Sequence, residues 1–99
     1  MKIEKEHNLS KEEAKKRIDN LLLNLEKEHK DKISNPVTKW DSSNSKMEFS
    51  VDIYQDKITG FVELKEKLVI LEGTLPMKYM FFKGTIINII DQTLTKTLS

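Results

Sequence analysis

At 99 residues the chain is long enough for one domain and too short for two, and it would bury roughly 60–65% of the surface its unfolded form exposes. Its 17 basic residues nearly cancel its 16 acidic ones and interleave with them, as in Lys2-Ile3-Glu4-Lys5-Glu6, so no basic strip suited to nucleic acid is present. The lack of cysteine excludes disulfides and thiol chemistry, no stretch reaches the ~20 apolar residues of a membrane span, and the charged start is unlike an export signal, which together predict one soluble, cytoplasmic domain over residues 1–99.

In chain order, Met1 to Lys5 reads as a short strand. Ser10 and Glu13 have capping-box spacing: the Ser hydroxyl can accept the third helical N–H while the Glu carboxylate reaches back to the Ser amide. Leu9 and Ala14 occupy the staple positions around that cap. Ala14, Ile18, Leu21, Leu22 and Leu25 recur as one buried stripe, with Lys15, Lys16, Asp19 and Glu26 on the wet face. This predicts a single helix from Ser10 to about His29 or Lys30, with Asn35-Pro36 preventing continuation.

Beyond Pro36, Val37 to Asp41 reads as a strand, and Asp41 to Ser45 as a hairpin connection. Lys46 to Ile53 alternates cleanly, with Met47, Phe49, Val51 and Ile53 on one face. Ile58 to Lys65 repeats the pattern through Ile58, Val62 and Leu64, and Leu68 to Leu75 completes a meander after turns at Gln55-Asp56 and Glu66-Lys67. Pro76 stops the sheet. From Met80 onward, Phe82, Ile86, Ile89, Ile90, Leu94 and Leu98 trace a second amphipathic helix. The predicted order is β-α-β-β-β-β-α, an α+β two-layer sandwich in which two amphipathic helices cover one face of an antiparallel sheet.

Chemistry-bearing constellations are sparse. His7 and His29, the only histidines, lie near opposite ends of the first helix, some 30 Å apart at about 1.5 Å per residue, so they cannot share a metal ion. There is no G-x-S-x-G elbow and no glycine-rich phosphate loop, and the acids sit mostly at outward strand or helix positions. No catalytic residue, metal site or cofactor is predicted, and the chain reads as a non-enzyme. His7 itself sits where its ring could donate to a backbone carbonyl or another strand's side chain and fix the turn into the helix; a functional role is the alternative.

The segment Leu75-Pro76-Met77-Lys78-Tyr79-Met80-Phe81-Phe82-Lys83-Gly84 crowds five large apolar or aromatic side chains, Met77, Tyr79, Met80, Phe81 and Phe82, around one turn. One helical stripe cannot easily bury them all. They read either as a core-filling helix start or as an adaptable surface for an apolar ligand, granule or partner. Trp40 carries the same ambiguity between a buried strand tryptophan and a binding platform.

Read together, His7-x-Leu9-Ser10 with Ala14 four residues later, Trp40 before a hairpin, Phe49, Gly60 before Val62, Leu75-Pro76, Gly84 and the closing Ile/Leu helix resemble the small bacterial polyhydroxyalkanoic acid system family, also labelled granule-region proteins. The resemblance covers nearly the whole chain and makes His7, Ser10, Glu13, Gly60, Pro76 and Gly84 signature positions. It implies an intracellular bacterial protein linked to storage granules of hydrophobic polyester, with no established catalytic site. The chain departs from the pattern at Ser42-Ser43-Asn44-Ser45, where glycine is expected nearby, and at Lys39, Lys46 and Lys57, which make the hairpin edges more charged. The layout is also similar to a reduced helix-grip or START-like architecture, in which a long C-terminal helix closes a curved sheet around an apolar ligand; likeness of fold does not establish function.

Three functional readings follow. One is a granule-associated accessory protein gripping an apolar surface through Trp40 and Met77 to Phe82. Another is a carrier of a hydrophobic small molecule, with a cavity between sheet and C-terminal helix lined by Phe49, Val51, Val62 and Phe82. The third is self-association, as a homodimer, through an open sheet edge.

Overall fold

The computed structural model describes residues 1–99. Five strands, β1 (Lys2–Glu6), β2 (Ile33–Trp40), β3 (Lys46–Ile53), β4 (Asp56–Leu64) and β5 (Leu68–Gly73), form one open antiparallel sheet in the order β1-β5-β4-β3-β2. Helices α1 (Lys11–Ile18), α2 (Leu21–Glu28) and α3 (Lys83–Leu98) bury apolar faces against it, with a 3-10 helix, Met77–Phe82, immediately before α3. This is the expected α+β layout of an antiparallel sheet with its apolar face covered by helices.

Alternation fixes which face is covered. Met47, Phe49 and Val51 of β3, Ile58, Val62 and Leu64 of β4, and Val69 and Leu71 of β5 are all buried, and Ile3 of β1 joins them. Each set keeps the two-residue period that sends alternate side chains to one side of the pleat. β1 closes one end of the sheet by pairing with β5, from Lys2 opposite Glu72 to Glu6 opposite Leu68.

The single first helix of the sequence reading is two helices, broken at Asp19 and Asn20. Short polar side chains compete with the helical ladder there: the Asn20 N–H donates to the Arg17 carbonyl at 3.1 Å and its side-chain amide to the Lys16 carbonyl at 3.3 Å. The apolar stripe survives the break, since Ala14 and Ile18 before it and Leu21, Leu22 and Leu25 after it are all buried. The break frees the Asp19 carboxylate to accept the Trp40 indole N–H.

Two other boundaries differ from expectation. β2 begins at Ile33, upstream of Pro36, because β2 is an edge strand and its register shifts between Ser34 and Val37, with Asn35 at φ 53°. A proline is tolerated at such a bulge, where no ladder N–H is needed. The second helix begins not at Met80 but at Lys83, and the residues before it are wound as the 3-10 turn.

The cap at Ser10 forms by half. Its hydroxyl accepts the Glu13 N–H at 3.1 Å, but the Glu13 carboxylate turns forward to the Arg17 Nε at 3.1 Å instead of back to Ser10. An arginine one helical turn ahead supplies a charge-assisted partner that the Ser10 amide cannot match. In the 41–45 loop, Asn44 takes φ 57°, the conformation for which glycine is usually recruited. Asp41 organises that loop by accepting the N–H groups of Ser45 and Lys46 and the Ser43 hydroxyl, and these bonds, that to Ser45 foremost, hold its carboxyl below the usual range.

Candidate functional site: an apolar protrusion at one end of the sheet

Pro76, at φ −56° and ψ 147°, ends the extended chain and opens the 3-10 turn, whose first bond runs from the Tyr79 N–H to the Pro76 carbonyl at 3.0 Å. With three residues per turn, side chains stack in three columns. Met77 and Met80 form one, Lys78 and Phe81 another, Tyr79 and Phe82 the third.

Two side chains of the turn, Tyr79 and Lys78, reach back to the sheet. The Tyr79 hydroxyl donates to Asp56 Oδ2 at 2.5 Å, with the Ile53 carbonyl 3.3 Å away as a second acceptor, and Lys78 Nζ lies 2.8 Å from the same Asp56 oxygen. The hydrogen bonds from Lys78 and Tyr79 hold the Asp56 carboxyl below its ordinary range. The reciprocal bond to Asp56, with partial desolvation, pushes the Tyr79 hydroxyl up to about 12. The turn is therefore latched to the β3–β4 hairpin by one carboxylate.

The other four side chains of the turn, all apolar, stay outside the core. Met77 is 88% exposed, Met80 51%, Phe81 97% and Phe82 59%, and no residue of the turn is buried. Of the two readings of this segment, the core-filling one fails on geometry. Tyr54, at the β3–β4 turn with φ 56°, adds a further exposed aromatic ring near Asp56 in the chain. Sequence reasoning missed Tyr54 and Asp56, because a turn residue and an outward acid carry no signal until the fold brings Tyr79 to them.

Trp40 does not belong to this surface. It pairs with Met47 at one end of β3, whereas Ile53, beneath Tyr79, lies at the other; six strand residues separate them by about 20 Å. Its indole N–H bonds Asp19, Lys15 Nζ lies 4.8 Å from the ring centroid, and the ring packs against the core. Trp40 thus staples the β2–β3 hairpin to the α1–α2 junction.

The signature positions divide between packing and surface. Gly60 stands opposite Phe49 in the β3–β4 register, where a Cβ would collide with the Glu72 carbonyl oxygen and lie 2.8 Å from both Gly73 Cα and the Phe49 ring. Gly84, in the first turn of α3, has open space on every side of the equivalent position. The His7 ring, in a residue 6% exposed, accepts the Leu9 N–H at Nδ1 (3.2 Å), while the His7 backbone N–H donates to the Lys67 carbonyl (3.0 Å). The ring thus accepts rather than donates, correcting that detail of the sequence reading, and it fixes the strand-to-helix turn. Its buried Nε2 has no partner within the chain.

Between α3 and the sheet lies an apolar cavity of about 80 Å³. Phe49 and Val51 line it as expected, joined by Ile58, Ile86, Ile89 and Ile90, whereas Val62 and Phe82 do not. Small-molecule pockets run from about 300 Å³ upward, so this space is too small for such a ligand in the present conformation. No three His, Cys, Asp or Glu side chains converge, and no helix is long and apolar enough to cross a membrane.

Against known proteins, a family model described as "Putative polyhydroxyalkanoic acid system protein" matches residues 1–98. No curated protein and no solved structure matches the chain.

Proposed function

The chain belongs to the polyhydroxyalkanoic acid system family, and we propose that it is a non-enzymatic accessory protein that adheres to an apolar surface, the hydrophobic polyester granule, through the 3-10 turn. The observation that carries this reading is the outward presentation of Met77, Met80, Phe81 and Phe82 from one short element. A contiguous apolar patch held clear of the core marks an interaction site. Tyr79 holds the element in place and Trp40 contributes only to stability.

Sedimentation with isolated polyester granules tests the reading. The protein should pellet with the granules, and Met80→Ser combined with Phe81→Ser should leave it in the supernatant while its thermal unfolding stays unchanged. Equal pelleting of the double variant would refute the assignment. The carrier reading requires the cavity beneath α3 to enlarge, and native mass spectrometry of protein purified from its own cells would reveal a retained ligand.

A further inference from the structure

We infer that the surface this turn grips is an amphiphile layer with anionic headgroups, entered by the Phe81 ring and held at headgroup level by Lys83; the inference rests on the apolar-surface reading above and names that surface's chemistry. Two observations point there. The first is shape. Phe81, 97% exposed, and Met77, 88% exposed, have almost no neighbours of their own. A flat face would cover only one side of such rings and chains, so their burial needs a medium that closes around them, as the headgroup and acyl boundary of a lipid layer does.

The second is charge. From Thr74 to Ile90 the sequence has two lysines, Lys78 and Lys83, and no acidic residue, in a chain that otherwise intermixes both signs of charge. The carboxylate bonded to the turn, Asp56, is engaged at its base by Tyr79 and Lys78. Lys83 follows Phe82 directly and takes part in no ion pair. The charge carried beyond the latch is therefore cationic, next to the side chains that would enter the layer. Apolar anchors flanked by lysine are the arrangement that binds anionic interfaces by burial and Coulomb attraction together. A bare polyester surface would use the apolar side chains and leave Lys83 idle.

The test is co-flotation of the full chain with vesicles of phosphatidylcholine alone and of equimolar phosphatidylcholine and phosphatidylglycerol, beside sedimentation with bare polyester particles. Partition into the anionic vesicles should exceed that into the neutral ones and weaken as salt rises. Phe81→Ser should lower it roughly tenfold or more, Lys83→Gln about fivefold, and Gly84→Ala not at all. Thermal unfolding of each variant shows that the fold is retained. Equal partition into both vesicle types, or insensitivity to Lys83→Gln, overturns the headgroup inference and leaves the apolar-surface reading standing. Binding to bare particles but to no vesicle does the same. Binding to none of the three removes both, as does a dimer in light scattering that Phe81→Ser dissociates without any partition, because a second copy would then be the occupant.

Discussion

The two halves of α3 are built from the same kind of sequence and meet different fates. Lys83–Ile90 carries four isoleucines, none of which is buried, whereas Asp91–Leu98 has fewer apolar residues and buries Thr93, Leu94 and Leu98. The second half lies over the packed face, within reach of β1 through a 2.8 Å ion pair between Lys5 and Asp91. The first half spans the 80 Å³ cavity and continues the protruding turn. Apolar periodicity thus states what a helix could bury; how much it buries depends on what lies opposite.

The largest expected effect tests this contrast directly. Leu94→Ala should destabilise the fold by about 2–5 kcal/mol, since it empties a fully buried site. Phe81→Ala, which removes a larger side chain, should change stability by less than about 0.5 kcal/mol because nothing packs on it. Urea unfolding midpoints of the two variants measure both, and comparable losses would mean that the turn is part of the core.

A smaller effect separates the two signature glycines. Gly60→Ala should cost roughly 1–3 kcal/mol, because the new methyl group must displace the Phe49 ring and the neighbouring strand backbone. Gly84→Ala should instead stabilise by about 0.5 kcal/mol, having open space and a better helix former. Thermal unfolding with opposite signs for the two supports the division; a loss at both would place Gly84 in an unrecognised contact.

The smallest effect concerns the latch. The folded-state value of Asp56 is depressed, so its contribution is fully present above the unfolded carboxyl range and is lost as pH falls through the folded value. That of Tyr79 is raised to about 12, so its contribution is present below the ordinary tyrosine range and is lost as pH rises through about 12. Spectrophotometric titration should show one phenol ionising at about 12 in the wild type, absent in Tyr79→Phe and returned toward its ordinary value in Asp56→Asn. An unchanged titration in Asp56→Asn would deny the latch.

Much of the fold was legible residue by residue. The alternation of Met47, Phe49 and Val51, the stripe from Ala14 to Leu25 and the Ser10 cap each state a local preference that the structure keeps. The break at Asp19 and Asn20 was not legible, because the apolar stripe runs through it without interruption and the Trp40 indole that Asp19 bonds there lies far along the chain. The Pro36 boundary misled for a related reason: a proline ends a strand only if the strand is internal, and sheet order is not written locally. At the candidate site the crowding of Met77 to Phe82 was visible, while Trp40 was grouped with it on residue type alone.

By itself, the sequence determined the apolar faces of strands and helices, because helix and strand periods are properties of consecutive residues. It also determined that residues 77–82 hold more large apolar side chains than one stripe can bury. Only the tertiary structure decided that β1 lies beside β5, that Gly60 must leave room for Phe49, and that Asp56 meets Tyr79 and Lys78. Which side of the 3-10 turn faces water follows from that last meeting, since a short helix has no inside until another part of the chain supplies one.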